Sequence, residues 1–247
     1  MIDDIWMWEN VEQIVEVGRR DRMAGLQAAA DSTCVCQGQW RSFVSSALVA
    51  NGINIAALCH DTLEALRKGR SQTTPVVVLA GRSGGEGKTA FYQPLHNVYD
   101  GEGLVFGFPD RSNFSLLDLP YAKVAFLNEF RLDGKLVSWS TLDQWFEGSA
   151  LPIGRPQNIS GQSGNMVYKG TAPIFITTKL EDIECLGYWA QNNPATNAPY
   201  DAEASMLLRR LKVYPFTQRV PKPRHQIPFC KHCFAHLIMT QAANFNG

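Results

Sequence analysis

The sequence has no long apolar run. No uncharged stretch approaches the roughly 20 residues that a membrane-crossing helix needs. The chain begins with Met1, Ile2, Asp3 and Asp4, so it also lacks the basic region and apolar core of a secretion signal. These absences predict an intracellular protein with no membrane partner.

Cysteine is scarce, with six residues in 247. This number is too low for a disulfide scaffold and favours reduced thiols or a metal site. Cys230 and Cys233 have the Cys-x₂-Cys spacing with which two thiolates can bind one Zn²⁺. The further ligands would be His225 or His236, or alternatively Cys34 and Cys36 if the two ends of the chain meet. The competing interpretation is a set of reduced, partly buried thiols without a metal.

Acidic residues are missing from the C-terminal part of the chain. The last one is Glu203, whereas seven of the 23 Lys and Arg residues follow it, although the whole chain has a net charge of zero. A basic segment of this kind favours contact with a polyanion, and a solvent-facing surface is the alternative.

A glycine-rich turn follows a short apolar run. Residues 76–80 are apolar and mostly β-branched, which is typical of a buried strand in a parallel sheet. Glycines let several backbone N–H groups point at one phosphate, a lysine can reach the β- and γ-phosphates, and a threonine hydroxyl can bind Mg²⁺. We therefore predict a site for ATP and Mg²⁺ in the loop residues Ser83, Gly84, Gly85, Glu86, Gly87, Lys88 and Thr89. An ordinary glycine-rich loop with a surface lysine is the alternative.

A carboxylate stands at the end of another apolar run. Glu129 follows residues 124–127, and ATP hydrolysis needs a carboxylate at such a strand end to activate water or hold Mg²⁺. We predict that Glu129 is the general base or water-orienting residue and a magnesium contact. Asn128 would accept a hydrogen bond from a metal-bound water. A solvent-exposed glutamate is the alternative.

Polar residues end a third apolar run, and two arginines follow a long gap. Thr178 or Lys179 could contact the γ-phosphate. Arg209 or Arg210 could stabilise the transferred phosphoryl group from a neighbouring subunit. The alternatives are a strand-capping lysine in solvent and a salt-bridged arginine pair.

Strands alternate with helices along the chain, which predicts an α/β fold with a parallel-sheet P-loop core. We divide the chain into a helical N-terminal unit for oligomerisation, an ATPase core, and a basic tail that contains Cys and His. The predicted bounds are 1–72, 73–217 and 218–247.

The order of these pieces resembles the superfamily 3 helicases of parvoviruses and circular single-stranded DNA viruses, which are AAA+ P-loop ATPases. The resemblance covers residues 40–216. It includes the helix at 51–66, Lys88-Thr89, the strand ending at Glu129, the strand ending at Lys179, and Arg209-Arg210 before residues 212–216. The His-hydrophobe-His motif of the nuclease domain that often precedes such helicases is absent.

The resemblance implies an ATP-driven DNA helicase that acts in replication as a homo-oligomeric ring, with a hexamer expected. ATP would lie between subunits, and a viral source would place the protein in the host nucleus or cytoplasm. A hairpin at 154–169 would bind single-stranded DNA by its phosphates. The residues available for this are Arg155, Gln157, Asn158, Asn165 and Lys169.

Three departures from the family pattern bear on catalysis. Arg82 replaces the first P-loop glycine, Asn128 replaces the first carboxylate of the catalytic strand, and Lys179 replaces an asparagine. The alternative function is therefore a scaffold that binds nucleotide and DNA but hydrolyses ATP weakly or not at all.

Overall fold

A five-stranded parallel sheet forms the centre of the protein. This computed structural model describes residues 22–99, 105–107, 116–135, 137–153, 166–196, 198–221 and 226–245. The sheet order is β2-β3-β6-β1-β7, and a separate antiparallel pair joins β4 to β5. The strands are β1 (Val76–Gly81), β2 (Val105–Phe106), β3 (Val124–Leu127), β4 (Leu151–Ile153), β5 (Met166–Tyr168), β6 (Ile174–Lys179) and β7 (Leu211–Phe216). The predicted α/β fold is confirmed, and the sheet is consistent with a P-loop-like core.

Helices cover both faces of the sheet. Those in the described residues are α1 (Arg22–Ala30), α2 (Gln39–Ala50), α3 (Ile55–Lys68), α4 (Lys88–Tyr92), α5 (Pro94–Val98), α6 (Trp139–Phe146), α7 (Leu180–Ala190), α8 (Ala202–Arg209) and α9 (Lys231–Ala242), with a short 3₁₀ turn at Leu119–Tyr121. None of these helices alone is long and apolar enough to cross a membrane; only α2 and α3 taken together, bent by 114°, reach that length and apolar content.

The apolar run of β1 is explained by burial on both faces. Val77 and Leu79 belong to one hydrophobic cluster, whereas Val76, Val78 and Ala80 belong to another. Successive side chains of a strand point to opposite faces, so a strand between two helical layers needs apolar residues at every position.

The first hydrophobic cluster joins segments that are far apart in the sequence. Helices α1 to α5 and α9 contribute to it. Phe234 of α9 makes edge-on contacts with Trp40 of α2 and Phe91 of α4, with ring centroids 6.0 Å apart in each pair. The predicted N-terminal unit and C-terminal tail therefore pack together on one face of the sheet, in the part of the chain that the structure describes. Residues 1–21 lie outside that part, and the predicted domain bounds stay a prediction.

Local sequence signals account for the ends of several elements. Asparagine is a preferred N-cap residue, so the sequence predicts Asn54 as the N-cap of α3. The Asn54 side chain accepts a hydrogen bond from the Ala57 N–H at 3.0 Å, which confirms this prediction. The sequence after the glycine-rich loop predicts one helix over residues 89–98, and this prediction is wrong. The segment is divided into α4 and α5, because Pro94 has no amide hydrogen to donate to a continuous helix.

We expect Phe234→Ala to lower the free energy of unfolding by about 3–5 kcal/mol, because it removes a fully buried ring from the first cluster. Urea denaturation would measure the change. Val49→Ala is the matched control, since Val49 is 68% exposed on α2, and it should change stability by less than about 0.5 kcal/mol. Equal effects of the two substitutions would contradict the packing of α9 on the sheet.

Candidate nucleotide-binding site

The loop between β1 and α4 lies at the carboxyl end of the sheet. Gly85 and Gly87 have φ angles of 89° and 93°, a region that other residues seldom adopt. A Cβ on Gly81 would lie 2.0 Å from Glu86 Oε2 and 2.3 Å from Lys88 Nζ. A side chain at position 81 would therefore displace the Glu86 and Lys88 side chains from these positions. Gly81 lies one residue before the expected place, and Arg82 at the expected place is exposed.

The Glu86 carboxylate lies where the lysine ammonium and a backbone N–H of the loop converge. Lys88 is buried, and its Nζ lies 2.8 Å from Glu86 Oε2. The Ser83 N–H donates to Glu86 Oε1 at 2.7 Å, and the Ser83 hydroxyl lies 3.3 Å from the same oxygen. A lysine ammonium and a loop N–H are the donors that bind phosphate in such loops. A phosphate that enters the loop therefore has to displace the Glu86 side chain.

The amide of Asn128 connects the loop helix to two neighbouring strands. Its Oδ1 accepts hydrogen bonds from the hydroxyls of Thr89 and Thr177, both at 2.9 Å. The Glu129 N–H in turn donates to Thr177 Oγ1 at 2.8 Å. Three chain segments are thus fixed relative to one another by side-chain oxygens.

Glu129 has a left-handed backbone conformation. Its φ is 51°, which is uncommon for a residue with a side chain and often marks a functional position. Its exposed side chain lines a cavity of about 210 Å³ together with Lys88 and Thr89. Because β6 lies between β1 and β3, the strand that carries Glu129 is roughly 10 Å from β1. This separation leaves space for a phosphate and a water molecule.

The two threonines of β6 face opposite sides of the sheet. Thr177 points to the loop, whereas Thr178 is buried on the other side, where it bonds to the Phe130 carbonyl at 2.7 Å and to Asp182 at 3.0 Å. The structure does not bring Thr178, one of the predicted γ-phosphate contacts, to the loop. Lys179 is exposed at the end of β6, and its register partner on β1 is Gly81.

Sequence reasoning missed Thr177, although strand alternation could have identified it. Phe175 packs in the cluster that also contains the loop helix α4. The side chain two positions later must point to the same face of the sheet. Counting from Phe175 therefore places Thr177 on the loop side.

A segment after β7 covers the loop and was also missed. Arg219 Nε donates to Ser83 Oγ at 3.1 Å, and the Val220 N–H donates to the Gly85 carbonyl at 3.1 Å. The Asn51 side chain at the end of α2 accepts from the backbone N–H groups of Thr217 and Gln218, each at 2.7 Å. We call residues 217–221 the strap. The charge excess after residue 203 was the available signal, but it did not indicate which arginine approaches the loop.

The cavity has an apolar side. Phe43 of α2 and Val220 of the strap line it, and Val220 Cγ2 lies 3.7 Å from the position that a Cβ on Gly87 would take. Phosphate donors next to apolar walls suit a ligand with an anionic end and a flat apolar end, such as a nucleotide.

The two arginines at the end of α8 differ in their contacts. Arg210 forms ion pairs with Asp143 at 3.1 Å and with Glu147 at 2.6 Å. Arg209 is exposed, and within the described residues it forms no ion pair. Both arginines lie at the amino end of β7, whereas the loop lies at the carboxyl end of β1. Because β1 and β7 are parallel, these are opposite ends of the sheet. The six residues of β1 span roughly 20 Å, so neither arginine reaches the loop of its own chain.

Most of the predicted DNA-contacting residues lie outside the described part of the chain. These are Arg155, Gln157, Asn158 and Asn165. The antiparallel pair of β4 and β5 forms the base of the predicted hairpin, and Lys169 is exposed directly after β5.

The two ends of the described chain bring four thiols together. Cys34, Cys36, Cys230 and Cys233 have sulfur atoms that all lie within 4.8 Å of one another. Backbone N–H groups of Gly38 and Cys36 lower the pKa of Cys34 to about 6, whereas burial raises the pKa values of Cys36 and Cys233.

Of the two predicted histidine ligands, the structure describes His236, which is not part of this group. His236 Nδ1 lies 3.3 Å from Arg41 Nη1. His225 lies outside the described part of the chain.

We expect Glu86→Gln to tighten the binding of a fluorescent ATP analogue by about tenfold, because a charged hydrogen-bonding competitor of the phosphate is lost. Without nucleotide the same variant should be less stable, since Lys88 keeps a buried charge without its counter-ion. Fluorescence titration and thermal unfolding measure the two effects.

Glu64→Gln is the control for that experiment. Glu64 pairs with Arg67 and Lys68 on the surface of α3, and its loss should leave nucleotide affinity unchanged. Weaker binding by Glu86→Gln would show that Glu86 supports the ligand and does not compete with it.

No family model matches the chain, and no curated protein matches it. Among solved structures, an A-form apo structure of the NrS-1 C-terminal region is 14% identical, covers 81% of this chain and 47% of that chain, and gives a TM-score of 0.49. A second A-form apo structure of this region is 14% identical, covers 81% of this chain and 42% of that chain, and gives a TM-score of 0.43. A further apo structure of the region is 13% identical, covers 82% of this chain and 44% of that chain, and gives a TM-score of 0.42. The chain spans less than half the length of each, so its function has to be inferred from its own residues.

Proposed function

We propose that this chain binds ATP with Mg²⁺ and hydrolyses it to move along single-stranded DNA, as a replication helicase of the superfamily 3 kind. The observation that carries this proposal is the hydrogen-bond junction at Asn128. It connects Thr89, next to Lys88 at the start of α4, with the strand end that carries Glu129, and all three residues line one cavity. Phosphoryl transfer needs groups that hold the phosphates and a group that orients the attacking water.

Each residue has a role that follows from its position. The Lys88 ammonium, once Glu86 is displaced, would hold the β- and γ-phosphates, and the Thr89 hydroxyl would bind Mg²⁺. The metal ion supplies neutralisation of the charge that develops on the phosphates. Glu129 follows β3, which lies on the other side of β6 from β1, and it would orient the attacking water from there. Thr177 holds the Asn128 amide and the Glu129 backbone, so it acts as a positioning residue.

A second subunit would complete the site. Lys88 lines the cavity and Arg219 lines an adjoining pocket next to Gly84 and Gly85, so both positive groups would lie near bound phosphates. Exposed Arg209 lies at the opposite end of the sheet and is available to a neighbouring chain, whereas Arg210 is engaged by Asp143 and Glu147. Arg209 is therefore the better candidate for a charge inserted across a subunit boundary. A closed ring gives every site such a neighbour.

Contacts with DNA would come from the hairpin between β4 and β5. Lys169 at its base is exposed and can neutralise a phosphate. Binding through phosphates does not depend on base sequence, which suits a translocating protein.

One observation favours the alternative of a scaffold that does not hydrolyse ATP. Asn128 is neutral, and its Oδ1 already accepts two hydroxyl donors. It therefore attracts Mg²⁺ less strongly than a carboxylate at this position would. A scaffold would form tighter oligomers or DNA complexes with ATP but release no phosphate.

Lys88→Ala should abolish ATP binding, because the ammonium is the principal positive group inside the loop. Glu129→Gln should retain binding and lose at least about 100-fold in turnover. Phosphate release with and without oligo-dT, together with analogue binding, separates the two effects. Glu184→Gln, at an exposed position of α7, is the control. If wild-type protein releases no phosphate in either condition, the helicase proposal fails.

Arg209→Ala should bind nucleotide normally but lose DNA-stimulated turnover. Mixing it with Lys88→Ala protein should restore part of the activity, because some interfaces then combine an intact loop with an intact Arg209. Arg210→Ala should instead lower stability by about 1–3 kcal/mol, since Asp143 and Glu147 lose their counter-ion. Absence of any recovery in the mixture would argue against a shared site.

A further inference from the structure

The four clustered thiols have the spacing of a tetrahedral metal site. The sulfur of Cys233 lies 3.4 Å from that of Cys34 and 3.5 Å from that of Cys36. The sulfur of Cys34 lies 3.8 Å from that of Cys36 and 4.0 Å from that of Cys230. Four sulfurs placed about 2.3 Å from a central Zn²⁺ at tetrahedral angles are about 3.8 Å from one another. None of the four is in a disulfide.

A tight turn and burial surround the four thiols. Gln37 and Gly38 both have positive φ angles, 50° and 79°, and form a turn directly after Cys36. Cys36, Cys230 and Cys233 are buried and Cys34 is half-buried, which leaves one side open for entry of an ion.

We propose that Cys34, Cys36, Cys230 and Cys233 bind one structural Zn²⁺ and that this ion holds the two apolar walls of the nucleotide cavity together. Four thiolates fill a tetrahedral site and leave no position for water, so the ion would be structural and not catalytic. His236 is not required as a ligand. The second half of this inference rests on the proposed nucleotide site, whereas the first half does not.

Both walls of the cavity are close to the cysteines along the chain. Cys36 lies just before α2, which carries Phe43 into the cavity. The Trp40 indole N–H of the same helix donates to the Ala90 carbonyl of α4 at 2.9 Å. On the other side, the strap contributes Val220, and the chain continues from it to Cys230. The strap bonds to Asn51 at the end of α2. Zinc would therefore fasten the segment on either side of the cavity at one common point.

Loss of the ion should loosen this arrangement. The nucleotide would then bind only the fraction of molecules in which the strap is closed over the loop, and its apparent affinity would fall by that fraction. Stability should also fall, because metal bound by the folded state alone contributes directly to folding.

The experiment uses the full chain purified under reducing conditions. Plasma mass spectrometry should find one zinc per chain in wild-type protein and in Cys185→Ser, whose exposed thiol lies outside the cluster. Cys233→Ser should lose zinc and melt at lower temperature. Cys34→His keeps a zinc ligand at the half-buried position and should retain the ion. Chelator treatment of wild-type protein, followed by added zinc, tests the site without relying on the folding of a variant.

The outcomes separate the two halves of the proposal. Zinc-depleted wild-type protein should bind the fluorescent ATP analogue roughly tenfold more weakly and recover with added zinc. Unchanged affinity with a lowered melting temperature would overturn the coupling to the nucleotide site. Wild-type protein that contains no zinc and takes up none when zinc is added would overturn the metal site. If zinc-loaded protein binds no analogue at all, the proposed nucleotide function fails while zinc content and melting still decide the metal site.

Discussion

The side-chain amide of Asn128 connects the parts of this protein on which its proposed chemistry depends. One oxygen accepts from the loop helix through Thr89 and from the neighbouring strand through Thr177, and Thr177 also accepts from the backbone of Glu129. Carboxyl ends of parallel strands meet at one edge of a sheet, so short polar side chains there can bond across strands. An aspartate would add a charge at this point. The neutral amide gives the same geometry with a weaker attraction for a metal ion.

The loop provides the counter-ion for its own buried lysine. A buried ammonium needs a counter-ion, and Glu86 supplies one from within the loop. Binding of the proposed nucleotide would then exchange one anion for another, and its favourable free energy would be smaller than the phosphate contacts alone would provide. The strap adds a second layer, because Arg219 contacts the serine that also donates to Glu86. Loop, strap and carboxylate thus form one connected set of polar contacts.

Much of the fold could be predicted from local patterns. An uninterrupted apolar run indicated β1, and a cap residue indicated the start of α3. The polar, glycine-containing sequence at 154–169 predicted a hairpin, and the structure describes its base in β4 and β5. These signals depend on neighbours in the chain, which the sequence displays directly. The break between α4 and α5 was missed although Pro94 signalled it. The packing of α9 on α2 and α4 could not be predicted, because apolar residues in a helix do not specify which surface covers them.

The candidate site also combines features that the sequence predicts with contacts that it does not. The sequence by itself determined which groups are present: a glycine-rich loop ending in Lys88 and Thr89, a carboxylate after a strand, and two cysteine pairs. Only the tertiary structure decided which hydroxyl of β6 faces the loop, which arginine of α8 remains exposed, and that Arg219 reaches Ser83. It also brought Cys34 and Cys36 to Cys230 and Cys233. The physical reason is that residue type and short spacing follow from the chain itself, whereas contacts between distant segments follow from how the helices pack on the sheet.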